Sequence, residues 1–179
     1  MPLIEESILV VVDVQGKLAE LMHCKESLFK NIAILIKASK ILDIPIVWCQ
    51  QVTESLGETV AEIKELLNGI EPVNKASFSC CGVDAFTKKI SEFDRKSIIL
   101  CGIESHVCIY QTAVDLKLNG FNVTVLADAI SSRTAENKQI AIEKMREDGV
   151  AIASTEMLLF EFLKTAEHPK FREIARLVR

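Results

Sequence analysis

Short apolar runs alternate with longer amphipathic segments along the whole chain. The apolar runs have strand length, and they predict β-strands at 8–12, 46–49, 72–74, 97–101, 122–127 and 150–153. Between and after these runs, apolar residues recur at helical spacing. This spacing predicts helices at 26–42, 58–67, 84–92, 106–119, 136–147, 154–163 and 169–177. In the first of them, Leu28, Ile32, Leu35 and Ile36 mark one buried face.

Strands that are apolar almost throughout are typical of a parallel sheet covered by helices on both faces. Strand–helix–strand crossovers are right-handed in nearly all proteins, and this favours a three-layer arrangement. We therefore predict an α/β fold of the doubly wound, Rossmann-like kind. Because the sequence has no linker, low-complexity segment or long repeat, we expect one domain over residues 1–179.

The composition restricts the possible partners. Hydrophobic residues make up 49% of the chain and the net charge is −4, with no basic stripe interleaved with aromatic residues. The apolar runs are far shorter than the about 20 residues that a membrane span needs. We expect no nucleic-acid or membrane partner. The high apolar fraction leaves room for a subunit interface, and we expect a homo-oligomer.

The six cysteines are not arranged like a disulfide framework. Cys49 and Cys101 lie inside apolar strand runs, and Cys80 is adjacent to Cys81. No secretory leader is visible at the start of the sequence. We therefore expect free thiols and a reducing, cytoplasmic location.

Three residues with catalytic chemistry follow predicted strands. Asp13 comes after the first strand, Lys75 after the third, and Cys108 begins the helix after the fourth. Ligands of open parallel sheets bind at the carboxyl ends of the strands, where these residues can meet. At a helix start, free N–H groups and the helix dipole favour a thiolate, so we expect the Cys108 pKa below about 8.5. In the alternative interpretation, Cys108 fills a strand–helix junction, Asp13 caps a helix and Lys75 is solvated.

The segments LVVVDVQ, VNKASFS, GIESHVC and VLADAISSR together resemble the isochorismatase-like cysteine hydrolases. This superfamily includes nicotinamidases and N-carbamoylsarcosine amidases. The resemblance covers nearly the whole chain, and the C-terminal part is most similar to the small isochorismatase-domain-containing proteins. It implies six strands in a Rossmann-like order. It also implies a cofactor-independent hydrolase whose substrate is a small amide, carbamoyl compound or related carbonyl compound.

The resemblance also implies roles for individual residues. Cys108 would be the nucleophile and Asp13 the general base, while the charge of Lys75 would favour the thiolate and orient Asp13. The oxyanion would bind to the backbone N–H groups of Glu104 and Cys108, presented by a cis peptide that joins Ile103 to Glu104. A Ser105 hydroxyl that capped the helix would compete for the Cys108 N–H.

The sequence departs from the family pattern in two ways. Many members have Ala at the position of Glu104 and Asp at the position of His106. The nicotinamidase branch binds a metal after its second strand, but the corresponding segment of this chain contains no histidine. Because His23, His106 and His168 are widely spaced, we expect no metal site.

Further residues are candidates for substrate binding, each with a structural alternative such as core packing, backbone hydrogen bonding or a solvated loop. They are Gln15, Thr53, Glu54, Phe78, His106 and Tyr110.

Other functions remain open. The chain is alternatively a non-catalytic binding or scaffold protein that keeps the fold. Vinyl-ether hydrolysis of the isochorismate type is disfavoured because that branch does not use a cysteine nucleophile. A nucleotide-binding domain is also disfavoured, since the sequence has no glycine-rich phosphate-binding fingerprint.

Overall fold

The computed structural model describes residues 2–179, and these contain a six-stranded parallel sheet. Its strands are β1 (Ser7–Val12), β2 (Ile46–Gln51), β3 (Val73–Lys75), β4 (Ser97–Ile103), β5 (Asn122–Ser131) and β6 (Ala151–Ala153). Their spatial order is β3-β2-β1-β4-β5-β6. The order therefore reverses between β1 and β4, which is where doubly wound sheets bind ligands.

The described residues contain nine α-helices: α1 (Gly16–Glu20), α2 (Lys25–Ile41), α3 (Thr53–Leu56), α4 (Ala61–Leu66), α5 (Asp84–Ser91), α6 (Tyr110–Leu118), α7 (Ala135–Glu147), α8 (Thr155–Leu163) and α9 (Phe171–Leu177). The seven predicted helices are all present. Two short helices, α1 and α3, were not predicted because a single turn shows no periodicity. The start of the predicted helix at 106–119 is instead a π-helical turn, Ser105–Ile109, which leads directly into α6.

The sheet has an apolar layer on each face. In β1, Leu9 and Val11 pack into one layer and Ile8, Val10 and Val12 into the other, following the two-residue period of a strand. The first layer contains the predicted face of α2, and Leu28, Ile32, Leu35 and Ile36 are all buried in it. The second layer contains side chains of α5, α6 and α7. The predicted three-layer α/β fold is confirmed.

Gly102 allows β1 and β4 to run close together at the reversal of strand order. It pairs with Val12 and has a φ of +122°, a conformation that residues with a side chain rarely adopt. A Cβ atom at this position would lie 2.0 Å from the Val12 carbonyl oxygen. The close approach therefore requires glycine, and it places Ile103 and Glu104 beside the end of β1.

We expect Gly102→Ala to lower the free energy of unfolding by about 3 kcal/mol or more, because the backbone of β1 cannot yield without losing its pairing. Gly120→Ala is a matched control, since Gly120 also has a positive φ (+85°) but no atom within 4 Å of the added Cβ. It should lose only about 1 kcal/mol. Urea unfolding measures both, and equal losses would contradict the role of the close approach.

Candidate active site

Asp13 lies at the carboxyl end of β1, where the chain leaves the sheet. Its backbone N–H still donates to the Cys49 carbonyl oxygen at 3.1 Å, but its φ of +54° ends the extended conformation. Aspartate tolerates this left-handed conformation better than most residues. The side chain is 3% exposed. The turn therefore fixes a buried carboxylate at the reversal of strand order.

Lys75 reaches this carboxylate from β3, across β2. Its Nζ donates to Asp13 Oδ2 at 2.6 Å, to Gln51 Oε1 at 2.5 Å, and to the carbonyl oxygens of Ser77 and Phe78 at 3.1 Å each. The Lys75 side chain is fully buried. An ammonium group has three N–H bonds, so these four acceptors leave none for another ligand. The ammonium group is thus held firmly behind Asp13.

Burial and charge oppose each other in this pair. Burial raises the pKa of Asp13 above its usual 3.8, although the charge of Lys75 acts to lower it. Burial acts to lower the pKa of Lys75, but the charge of Asp13 and nearby groups outweighs it and the pKa lies above 10.5. Lys75 therefore stays charged at neutral pH, while Asp13 is a stronger base than an exposed carboxylate.

Cys108 occupies the π-helical turn after β4 and is 8% exposed. Burial raises the pKa of its thiol to about 12, the charge of Asp13 adds to this effect, and Lys75 opposes it. The expectation of a lowered thiol pKa is wrong, because desolvation and the neighbouring carboxylate outweigh the helix start and the lysine. The thiol is therefore protonated at neutral pH.

The two oxygens of Asp13 have different surroundings. Oδ2 accepts from Lys75, whereas the buried Oδ1 accepts no hydrogen bond of ordinary geometry from residues 2–179. The carboxyl group and the Cys108 thiol are close enough for hydrogen bonding and charge to shift each other's pKa. Oδ1 is thus available to receive the thiol proton.

The peptide bond between Ile103 and Glu104 is cis, at the position that the family resemblance implies. Glu104 Oε1 accepts from the Arg133 backbone N–H at 3.2 Å and from Arg133 Nε at 3.1 Å. The buried Ser105 hydroxyl has no hydrogen-bond partner among the described residues. It therefore does not compete for the Cys108 N–H.

Asp13, Glu104 and Cys108 border a cavity of about 360 Å³. Its polar wall residues are Asp13, Gln51, Ser55, Glu104 and Cys108, and its apolar wall residues are Leu18, Val52, Leu56, Phe78, Ile103 and Val107. The volume is typical of a site for a small molecule.

Comparison with known proteins identifies the family of the chain. Residues 7–157 match the family described as Isochorismatase domain. The chain belongs to the isochorismatase family. This match confirms the resemblance of the sequence motifs, and it includes every wall residue of the cavity.

Relatives in this family extend over nearly the whole chain. Isochorismatase domain-containing protein 2A of Mus musculus is 36% identical over 176 residues, which cover 98% of this chain and 84% of the mouse protein. The secreted isochorismatase effector Isc1 of Phytophthora sojae is 34% identical, with 97% and 84% covered. The solved structure of MAR1 ribonuclease from Caenorhabditis elegans is 33% identical and has a TM-score of 0.91, with 97% and 90% covered.

Within the isochorismatase fold of this chain, Phe78 is the one predicted substrate-binding residue that lines the cavity, and this residue is 54% exposed. Gln15 is fully buried and does not line the cavity. Its Nε2 donates to the carbonyl oxygens of Gly57 and Gln51, and its Oε1 accepts from the Gln51 backbone N–H. Gln15 therefore satisfies loop backbone, as its structural alternative proposed.

The four other candidates lie outside the cavity wall. Tyr110 Oη donates to Asp148 Oδ2 at 3.0 Å, and His106 Nδ1 lies 2.9 Å from Ser132 Oγ. Thr53 and Glu54 begin α3, but the following residues of this helix, Ser55 and Leu56, contribute the wall.

Six wall residues were not predicted from the sequence: Leu18, Gln51, Val52, Ser55, Leu56 and Val107. The four at 51–56 were missed because the predicted second strand ends at Cys49. The strand continues to Gln51, and the chain then turns at Val52, whose φ is +34°. The position of Gln51 in the sequence could have identified it as a site residue. Gln51 ends the strand that lies between those of Asp13 and Lys75, so its side chain belongs to the same edge of the sheet.

The described residues contain no group of three or more His, Cys, Asp or Glu side chains that could hold a metal ion. No helix among them has the length and hydropathy needed to cross a membrane.

Proposed function

We propose that the chain is a cysteine hydrolase that cleaves the C–N bond of a small amide, carbamoyl compound or related carbonyl compound without a cofactor. The observation that supports this most strongly is the shared cavity of Asp13 and Cys108, with Lys75 fixed behind the carboxylate. A nucleophile, a base within reach of it and a group that orients the base are the parts that covalent hydrolysis requires.

In the first half of the proposed reaction, Cys108 Sγ attacks the carbonyl carbon while Asp13 Oδ1 takes the thiol proton. Because the thiol pKa is about 12, proton transfer accompanies the attack instead of preceding it. We place the resulting oxyanion at the backbone N–H groups of Glu104 and Cys108. Lys75 keeps its proton and holds Oδ2, so Oδ1 stays free to receive the thiol proton.

In the second half, the C–N bond breaks and the leaving amine takes the proton from Asp13, which leaves a thioester on Cys108. Asp13 then accepts a proton from water as the water oxygen attacks the thioester carbonyl. The C–S bond breaks, the sulfur regains its proton from Asp13, and the carboxylic acid product departs. Asp13 is protonated after the attack of the thiol and after the attack of water, and it is ionised again once the amine has left and once the thiol has re-formed.

The test is ammonia release from a panel of small amides and carbamoyl compounds. We expect Cys108→Ala to lower turnover by at least about 10³-fold, because the nucleophile is removed. Cys24→Ala is the control, since Cys24 is exposed and does not line this cavity. Turnover that survives in Cys108→Ala would exclude covalent catalysis by this cysteine. If the wild-type protein turns over no compound of the panel, a binding or scaffold role would replace the proposal.

A ribonuclease activity is the second candidate, because the C. elegans relative carries that name. Binding of RNA phosphates at this site requires available cations, but no Lys or Arg lines the cavity, and the N–H groups of Lys75 behind it are all occupied. We therefore propose that RNA is not the substrate. RNA degradation that is present in the wild type and lost in Cys108→Ala would favour the ribonuclease instead.

We also propose that the protein acts in the cytoplasm as a homo-oligomer. Leu118 and Ile140 are 81% and 61% exposed, and a subunit interface would cover such side chains. Light scattering gives the mass in solution. Cell fractionation tests the location, which matters because one relative is named as secreted.

A further inference from the structure

The carboxylates of the cavity wall are neutralised from outside it. Asp13 is paired with Lys75 at 2.6 Å, and Glu104 with Arg133 at 3.1 Å. Neither cation is itself a wall residue. The third ionisable group of the wall, Cys108, is a neutral thiol at neutral pH. A ligand in the cavity therefore meets two carboxylates already paired and, among residues 2–179, no cation in the wall.

Lys75 is also unable to turn toward a ligand. Its side chain is fully buried, and its Nζ has four acceptors within 3.1 Å. Binding a substrate carboxylate would require breaking the pair with Asp13, the base of the proposed reaction. The Gln51 amide is held by two hydrogen bonds, since its Oε1 accepts from Lys75 and its Nε2 donates to the Ala76 carbonyl oxygen at 2.8 Å, which leaves one neutral N–H bond and no charge for a ligand.

The rest of the wall offers an ion a single neutral hydroxyl group, that of Ser55. The remaining side chains are hydrocarbon: Leu18, Val52, Leu56, Phe78, Ile103 and Val107. Transfer of an ionised group from water to such surroundings without a partner is strongly unfavourable. The volume of about 360 Å³ accommodates a substituent of a few carbon atoms beside the reacting carbonyl group.

From these contacts we infer that the substrate is electrically neutral and carries a small apolar substituent, and that compounds with a carboxylate are excluded. This inference rests on the proposed function and narrows its substrate class.

Three amides of similar size test it. In 4-methylpentanamide, an isopropyl group stands where succinamate has its carboxylate, and 4-aminobutanamide carries an ammonium group instead. We expect kcat/KM for the neutral amide to exceed that for either charged amide by at least about 100-fold. Equal or better use of succinamate by the wild-type protein would overturn the inference, while the proposed hydrolysis would stand.

A cation introduced into the wall should change this preference. Ser55 lines the cavity and is exposed, so Ser55→Lys can place an ammonium group there without a buried charge. We expect kcat/KM for succinamate, relative to 4-methylpentanamide, to rise at least about 10-fold. Ser91→Lys makes the same change in net charge on α5, away from the cavity, and should leave the ratio unchanged. An equal rise in both variants would contradict local recognition.

If no amide is turned over, the proposed function fails, but the charge of the cavity is still measurable. Iodoacetamide and iodoacetate both alkylate a thiol: a C–S bond forms, the C–I bond breaks, iodide leaves and the thiol loses its proton. They differ in charge. We expect the ratio of the iodoacetamide rate to the iodoacetate rate to be at least about 10-fold larger at Cys108 than at the exposed Cys24 of the same molecule. Equal ratios, read by mass spectrometry, would overturn the inference.

Discussion

Asp13→Asn should slow hydrolysis and yet speed alkylation of Cys108. We expect kcat to fall by about 10³-fold, because the amide cannot accept the thiol proton or activate water. Asparagine also adopts the left-handed conformation that Asp13 has here, so the backbone turn should be kept, but the buried Lys75 loses its counter-charge and the free energy of unfolding should fall. The measurement is amide turnover by the two proteins at equal concentration of folded enzyme.

The opposite effect on alkylation follows from the causes of the thiol pKa. The charge of Asp13 raises the pKa of Cys108 and that of Lys75 lowers it. In Asp13→Asn the first contribution is gone and the second remains, so the thiol pKa falls below about 12 and the thiolate fraction at neutral pH rises. Iodoacetamide labelling of Cys108, followed by mass spectrometry across pH, should show a midpoint at lower pH.

Asp43→Asn is the matched control, because Asp43 has the same φ of +54° but is exposed and away from the cavity. It should change neither measurement. If Asp13→Asn slows turnover and alkylation together, Asp13 acts by supporting the structure and is not the base.

The hydrophobic pattern was sufficient to predict the sheet and its long helices, because burial on both faces leaves a simple periodic signal. The pattern of α2 is an example, since its predicted apolar face is the face that is buried. The short helices α1 and α3 have no such signal. They are held by contacts between distant residues, such as the hydrogen bond from the Gly16 N–H to the Glu58 carbonyl oxygen at 3.0 Å.

The convergence of Asp13, Lys75 and Cys108 was predictable for a related reason, since each follows a strand and parallel strands end at the same edge. The thiol pKa was not predictable. Local sequence contains the helix start that lowers it, but the burial and the carboxylate that raise it come from the packing of other strands. Most of the apolar wall was also not predictable, because it is formed by short helices and turns whose positions depend on tertiary contacts.

Lys75→Met should reduce the free energy of unfolding by about 3–5 kcal/mol, because it leaves a buried carboxylate without its cation. The carbonyl oxygens of Ser77 and Phe78 and the Gln51 amide lose their donor as well. Lys89→Met is the control. Lys89 and Glu92 form an exposed pair at 3.5 Å, and its loss should cost less than about 0.5 kcal/mol. Urea unfolding of both variants at the same pH gives the comparison.

The pH dependence of this loss has a definite sign. The charge of Lys75 lowers the pKa of Asp13, so in Lys75→Met that pKa rises further above 3.8. A raised carboxyl pKa in the folded state means that stability declines as pH increases from 3.8 through the new pKa. The loss should therefore be larger at neutral pH than in mild acid. Adding Asp13→Asn should recover part of it, since no unpaired charge then remains buried. A loss independent of pH and of Asp13 would show that Lys75 stabilises the fold by packing and by hydrogen bonds to neutral groups, and not by its charge.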